Sequence, residues 1–195
     1  YYAGLVTPVL TVGAGYQLIN ISGKSFLTFQ HLKLQGFDQI GVLISGASDN
    51  LVFANMEVDG QVPNGVLTVG FYINATSPAS IKFYNVDAHL NYDGWRIVGG
   101  AASTSAIALV NCSAFGNRDA AIVDNATGGS AVVTYSHFYG NGLSTLWAQD
   151  VQGVAGPNVS STTNIGTLAN ISQSLTLGQV PNYVDPEIVS AGQYA

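Results

Sequence analysis

A ten-residue pattern that recurs five times between residues 27 and 141 is the feature that most constrains the fold of this chain. The copies begin at Leu27, Leu51, Ile81, Ile107 and Ala131, so successive starts are 24, 30, 26 and 24 residues apart. Such a period is typical of stacked structural units that share one continuous core. The pattern therefore predicts a repeat protein in which each copy forms part of one coil.

Equivalent positions of the copies carry chemically similar residues. The third position is apolar throughout: Phe29, Phe53, Phe83, Leu109 and Val133. A mostly polar position separates two apolar pairs: His31, Asn55, Asn85, Asn111 and Tyr135. Because apolar residues alternate on either side of it, each copy predicts two short strands joined by a sharp bend.

A third apolar segment follows each copy, and these segments begin at Val42, Phe71, Trp95, Ala121 and Leu146. Three strands in a turn of about two dozen residues resemble the right-handed parallel β-helix of the pectin-lyase-like superfamily. The polar column resembles that family's asparagine ladder, in which stacked amides satisfy one another and the backbone of a bend. The resemblance implies an all-β fold, a right-handed parallel β-helix (a solenoid) of three parallel sheets and about six to eight coils.

The organisation along the chain predicts a single β-helix domain over residues 1–195. Residues 1–25 are expected to form an irregular first coil, residues 26–150 the regular coils, and residues 151–195 a C-terminal loop and a capping coil that covers the open end of the stack. Because the chain enters directly into strand-like sequence, we interpret it as a fragment of a longer chain.

Composition excludes several classes of function. Charged residues make up only 8 % of the chain, and its formal net charge of −6 argues against nucleic acid as a partner, because phosphates require basic patches. The apolar runs are too short and too often interrupted to span a membrane. The resemblance implies a secreted or cell-surface location and a polysaccharide or glycan as the partner.

The outward positions of the second strand in each copy are Lys33, Glu57, Asp87, Ser113 and His137. We expect this column to be solvated, with Lys33 and Glu57 as cross-strand neighbours. His31 is expected to replace an asparagine in the ladder, and His89 and His137 to lie on the surface.

Two similar stretches, residues 91–96 and 117–122, form the strongest candidate site. The same offset from the repeat places Asp93 and Asp119 at matching positions of adjacent coils, about 4.8 Å apart and at an outward edge. Two carboxyls so close either share a proton or bind a cation, with Ca²⁺ as the candidate. Arg96 is expected to point outward beside them.

The Asn91–Tyr92–Asp93 segment resembles the Asn-x-Asp motif of polysaccharide hydrolases in this superfamily, although their other motifs are absent. The resemblance implies catalytic roles for Asp93, Asp119 and Arg96, either in hydrolysis or in Ca²⁺-assisted elimination. It also implies substrate contacts, because aromatic faces suit sugar rings. The candidate substrate-binding residues are Tyr72, Tyr92, Asp124 and Trp147. A purely structural interpretation stays open, since Asn-x-Asp-Gly is also common turn chemistry.

The sequence therefore supports two hypotheses about function. The first is an extracellular carbohydrate-associated β-helix protein, a polysaccharide lyase or glycoside hydrolase. The second is a non-catalytic structural, adhesive or filament-forming surface protein that self-associates through its coil ends. Six Asn-x-Ser/Thr sequons occur, of which the loop positions Asn74, Asn125 and Asn158 are candidate glycosylation sites.

Overall fold

The structure is a computed structural model that describes residues 8–11, 17–60, 68–76, 80–98, 107–124, 131–139, 141, 151–153, 165–169, 172–173, 188–190 and 193–194. Every regular element in these ranges is a β-strand. The same ranges contain no helix with the length and hydropathy needed to cross a lipid bilayer.

The described residues form nineteen strands of two to eleven residues. They are β1 (Val9–Thr11), β2 (Gln17–Ser22), β3 (Ser25–Gln30), β4 (Lys33–Gln35), β5 (Ile40–Gly46), β6 (Asp49–Asp59), β7 (Val69–Ala75), β8 (Ile81–His89), β9 (Asp93–Ile97), β10 (Ile107–Val110), β11 (Ser113–Phe115), β12 (Ala120–Asp124), β13 (Ala131–Thr134), β14 (His137–Tyr139), β15 (Val151–Gly153), β16 (Ile165–Ala169), β17 (Ser172–Gln173), β18 (Ile188–Ser190) and β19 (Gln193–Tyr194).

The strands form a parallel β-solenoid of about four turns. One sheet contains eleven strands, from β1, β3 and β4 to β16 and β17, and a second sheet contains six strands in the order β15-β12-β9-β7-β5-β2. All pairs within these two sheets are parallel, and the first residues of the five sequence repeats pair in register: Leu27, Leu51, Ile81, Ile107 and Ala131. The alignment of repeats is therefore confirmed at the level of the backbone.

Two details of the predicted architecture are wrong. The turns number about four rather than six to eight. The described strands form two parallel sheets rather than three, since β6 and β8 run through the bend at Asn55 and Asn85 and join two ladders into one sheet. β18 and β19 pair antiparallel. The right-handed winding stays a prediction.

Stacked aromatic rings fill the core. Phe53 lies between Phe29 and Phe83, with ring centroids 5.3 and 5.0 Å away and nearly parallel planes. From the second sheet, Phe71 and Trp95 stack at 5.7 Å, and their rings meet the Phe53 and Phe83 rings edge to face. Both arrangements are favourable for aromatic pairs. The apolar third position of the repeat therefore faces the core, with Phe53 and Phe83 fully buried and Phe29 partly buried.

The polar column between the two strands of each repeat adopts a left-handed backbone conformation. Its five residues have φ values between 51° and 56°: His31, Asn55, Asn85, Asn111 and Tyr135. Asparagine tolerates this conformation better than most side chains, which explains its recurrence. Asn85 Nδ2 donates to Asn55 Oδ1 at 3.0 Å, and Asn111 Nδ2 donates to Asn85 Oδ1. The amide-to-amide bonds of the predicted ladder are confirmed, and these side chains are exposed on the outside of the bend.

A second asparagine ladder, which the sequence alone did not reveal, lies inside the solenoid before β9 and β12. Asn91, Asn117 and Asn141 are fully buried. Asn117 Nδ2 donates to Asn141 Oδ1 at 2.8 Å and to Ala88 O at 2.9 Å, while Asn91 Nδ2 donates to His89 O at 2.8 Å. These amides satisfy backbone carbonyls at a bend that cannot be reached by strand pairing.

Candidate functional site

The predicted acidic site forms where β9 and β12 begin. Asp93 pairs in register with Ala120 rather than with Asp119, because the Asp119 amide donates to Tyr92 O at 2.8 Å and the Arg118 amide to Asn91 O. The predicted match of the two aspartates is thus wrong by one backbone position. Their carboxyls nevertheless lie close enough for each to influence the pKa of the other.

Arg96 completes this group of side chains. Its Nε donates to Asp93 Oδ2 at 2.6 Å, and its Nη2 forms an ion pair with the same oxygen. The Arg96 guanidinium carbon also lies 5.8 Å from the centre of the Tyr92 ring, within reach of a cation–π interaction. The expected convergence of two carboxyls and a guanidinium is therefore present.

The prediction that the two aspartates lie on an outward edge is wrong. Asp93 is 0 % exposed and Asp119 is 6 % exposed, whereas Tyr92 and Arg96 are partly exposed. Asp93 is held inside because its amide bonds to Thr68 O in the preceding turn and its carboxyl bonds to Arg96. Arg96 and Tyr92 are therefore more accessible to solvent than the two carboxyls.

Burial changes the acidity of both groups. It raises the pKa of Asp93 to about 7; the Arg96 guanidinium opposes this shift, and the Asp119 carboxyl adds to it. Burial also raises the pKa of Asp119, against the influence of Arg96 and of a hydrogen bond with Asp93. Among the residues that the structure describes, the Oδ1 atoms of Asp93 and Asp119 have no hydrogen-bond partner. A proton held by one carboxyl and shared with the other is the state that this environment favours.

The other predicted site residues have mixed outcomes. Tyr72 pairs with Arg96 between β7 and β9 and is partly exposed. Asp124 pairs with Ile97 and Gly153 through its backbone in β12, and its side chain lies outside the described residues. Trp147, Asn125 and Asn158 also lie outside them. Asn74 is exposed but belongs to strand β7, so the expectation that it lies in a loop is wrong.

The motif residue Asn91 has a structural position. It is fully buried, its Nδ2 donates to the Val58 and His89 carbonyls, and its backbone amide donates to Asn117 Oδ1 at 2.9 Å. In the Asn91–Tyr92–Asp93 segment, the asparagine therefore supports the bend, and only Tyr92 and Asp93 take part in the site.

A second polar cluster on the first sheet contradicts the expectation of a solvated surface. His89 is 1 % exposed, Asp87 is 4 % exposed and Ser113 is also buried. His89 Nε2 lies 2.9 Å from Glu57 Oε1 and 3.6 Å from Asp87 Oδ2, and its ring stacks on Phe115 with centroids 4.6 Å apart. His89 is therefore a buried member of a charged network rather than a surface residue.

The predicted pair of Lys33 and Glu57 belongs to this cluster and is confirmed, with Nζ 2.7 Å from Oε1. Burial alone would raise the pKa of Glu57, but hydrogen bonds with His89 and Lys33 hold it below its ordinary value. Burial would likewise lower the pKa of His89, but the hydrogen bond to Glu57 and the nearby carboxylates raise it.

A signal for this cluster was present in the repeat. The alignment that pairs Glu57 with Asp87 also pairs Asp59 with His89 two residues later, on the same face of the strands. Burial of both columns could not be predicted, because periodicity identifies a face but not what covers it.

Comparison with protein-family models, curated proteins and solved structures found no match to this chain.

The acidic site can hold a proton near neutral pH, because burial raises the pKa of both carboxyls. Calcium takes six to eight oxygen ligands. Among the described residues, this site supplies two carboxyls, one of them already bonded to Arg96.

Proposed function

We propose that this chain is an extracellular carbohydrate-associated β-solenoid of the pectin-lyase-like type, which binds a polysaccharide along the outer face of its second sheet. The proposal is carried by one observation: Tyr72 and Arg96 are neighbours on that face, with Tyr92 beside them. A stack of parallel strands presents such side chains in a straight row, which suits an extended polymer.

The direction of these side chains follows from their strands. Tyr72 lies between the core residues Phe71 and Ile73, and Arg96 lies between the core residues Trp95 and Ile97. Because successive strand residues point to opposite faces, Tyr72 and Arg96 point away from the core. Aromatic rings with a polar edge pack against sugar rings, and a guanidinium donates to their hydroxyls.

Charge favours a neutral polysaccharide over a polyuronate. The chain has a formal net charge of −6, and Arg96 already faces the carboxyls of Asp93 and Asp119. A polyanion would therefore meet no uncompensated positive charge at this position. The proposed activity is binding; hydrolysis or elimination would require the enclosed carboxyl pair to become accessible.

Binding to a panel of neutral and uronate-containing polysaccharides tests the proposal. We expect at least one neutral polymer to bind, and Tyr72→Ala to weaken its binding about five- to tenfold through loss of one stacking contact. Tyr84→Ala is the matched control, because Tyr84 is exposed on the first sheet. Failure of every polymer to bind, or an equal loss in the control, would favour the structural and adhesive alternative.

The same panel tests catalysis, through assays for new reducing ends and for unsaturated products with and without Ca²⁺. If turnover occurs, Asp93→Asn should abolish it while leaving the fold intact, because the asparagine side chain has nearly the same size and shape as that of aspartate. Turnover that survives this substitution would remove Asp93 and Asp119 from the catalytic assignment without affecting the binding proposal.

A further inference from the structure

The imidazole of His89 has a carboxylate beside each of its two ring nitrogens. Its Nε2 lies 2.9 Å from Glu57 Oε1, and its Nδ1 lies 4.0 Å from Asp59 Oδ1. We propose that these residues form a proton-controlled clamp, in which a second proton on the His89 ring draws Asp59 onto Nδ1 and ties β8 to the end of β6. The clamp is independent of the proposed carbohydrate function, because its residues lie on β6 and β8 rather than on the second sheet.

The charge of Glu57 determines which ring nitrogen carries the first proton. Burial acts to raise the pKa of Glu57, but its hydrogen bonds with His89 and Lys33 hold that pKa below the ordinary value, so the carboxyl is ionised near neutral pH. A carboxylate oxygen accepts a hydrogen bond and cannot donate one. Nε2 is therefore the donor to Glu57, and the neutral ring has a bare lone pair at Nδ1.

The second proton binds at this other nitrogen. His89 is 1 % exposed, and among the described residues its Nδ1 has no hydrogen-bond partner. In the neutral ring the Nδ1 lone pair and the Asp59 oxygen are neighbouring acceptors, which repel each other. Protonation makes Nδ1 a donor, and a movement of about 1 Å by the Asp59 carboxyl then brings the two atoms to hydrogen-bond distance.

The charged groups near the ring favour its protonated form. Among the described residues, they are Glu57 and Asp59 on β6, Asp87 on β8 and Lys33 on β4. Burial acts to lower the pKa of His89, but the hydrogen bond to Glu57 and the charges of the nearby carboxylates raise it above its ordinary value. Lys33 opposes the second proton, because its Nζ contacts the same Glu57 oxygen, at 2.7 Å.

The clamp lies where the ladder between two turns ends. Asp59 and His89 are the last pair of β6 and β8, and the Gly60 amide beyond them donates to the His89 carbonyl at 3.0 Å. The ends of a ladder open more easily than its centre. Because the folded ring holds its second proton more tightly than an unfolded histidine does, the clamp is fully present below the ordinary pKa of 6.5 and is lost as the pH rises through the folded value.

Imidazole ¹⁵N NMR of the full 195-residue chain between pH ~5 and ~9 tests this inference. The contact with the Phe115 ring identifies the His89 signals. We expect both ring nitrogens to be protonated at the acidic end and Nε2 alone at the alkaline end. Asp59→Asn should lower the midpoint of this transition by ~0.5 pH unit or more, because the charge beside Nδ1 is gone, and Lys33→Gln should raise it.

Asp38→Asn is the matched control, since Asp38 is exposed and the substitution also removes one carboxyl. Its His89 midpoint should be unchanged. An alkaline form with the proton on Nδ1 would overturn the inference, as would a midpoint that Asp59→Asn leaves in place or raises, or that the control lowers equally. If circular dichroism shows that Asp59→Asn does not fold, Lys33→Gln decides, and a midpoint that it leaves in place or lowers contradicts the clamp.

Hydrogen exchange of the Gly60 amide measures the clamping itself. Its protection relative to an unfolded amide should fall about threefold or more as the pH rises through the His89 midpoint. The Leu51 amide, which donates to Ser80 O at the other end of β6, is the internal reference and should lack this step. Protection of Gly60 without a step, or an equal step at Leu51, would show that the proton on His89 does not hold this end of the ladder.

Discussion

At the scale of single residues, the most consequential feature is a carboxyl that the fold encloses. Asp93 is fully buried, and its pKa is raised to about 7 by burial, in spite of its contact with Arg96. The charged form is disfavoured because the carboxylate loses more hydration free energy on burial than it gains from its interaction with Arg96. Because it is buried, the Asp93 carboxyl can hold a proton near neutral pH, and for the same reason it has little direct contact with a polymer on the surface.

The raised pKa of Asp93 predicts how stability depends on pH. An unfolded aspartate has its ordinary pKa of 3.8, so the folded chain holds this proton more tightly. The contribution of this tighter proton binding to the free energy of unfolding is at most ~4 kcal/mol. It is fully present below pH ~4 and is lost as the pH rises through about 7. Asp93→Asn carries no titrating proton, so its stability relative to the unsubstituted chain should increase across this interval.

Urea unfolding of both chains at several pH values between ~4 and ~8 measures this difference. Asp38→Asn is the control, because Asp38 is exposed and removes a carboxyl of the same type from the surface. The control should show a nearly constant difference. If the free energy of unfolding of Asp93→Asn relative to the unsubstituted chain stays constant or decreases as the pH rises, the buried environment assigned to Asp93 is contradicted.

At the scale of elements, the bends determine how strands join. In the described repeats, a residue with φ near +50° separates the two strand segments, yet β6 and β8 continue through it as single strands. The left-handed residue turns the chain without breaking the parallel ladder, and its amide bonds to the equivalent amide of the next turn. Asparagine is thus selected by backbone conformation as well as by hydrogen bonding.

This dual role predicts an order of stabilities for substitutions of Asn85. Asn85→Gly loses the ladder bonds but keeps an easy left-handed backbone, whereas Asn85→Ala loses both, so alanine should be the less stable by ~1 kcal/mol. Asn20 in β2 is exposed and is absent from the residues with positive φ, so there the order should reverse, because glycine weakens a strand. Urea unfolding of the four variants measures both orders, and the same order at both positions would contradict this account.

At the scale of the whole molecule, the repeat period was sufficient to predict a parallel solenoid. Residues such as Phe29, Phe53 and Phe83 recur at positions that pair in register, because each turn must present the same face to the next. The bend column was likewise predictable, since the left-handed conformation restricts which residues recur. The number of sheets could not be predicted, because it depends on whether hydrogen bonding between strands continues through the bend at Asn55 and Asn85.

The candidate sites were less predictable for the same physical reason. Periodicity brought Asp93, Asp119 and Arg96 to adjacent turns, and their convergence is confirmed. It could not predict the burial of Asp93, or that Asn91 would belong to an internal ladder. The position of His89 beside Glu57 and Asp59 followed from the alignment, but its enclosure depends on tertiary packing, which no local pattern records.

A stack of turns also predicts where a core substitution is most costly. Phe53 is fully buried and has a parallel ring on each side, whereas Phe29 is partly exposed and stacks on Phe53 alone among the described rings. Phe53→Ala should therefore cost ~3–5 kcal/mol, the range for a large buried cavity, and Phe29→Ala clearly less. Urea unfolding followed by circular dichroism measures both. Equal costs would show that the solenoid loses stability as one unit wherever a ring is removed, instead of in proportion to the contacts that each ring makes with its neighbouring turns.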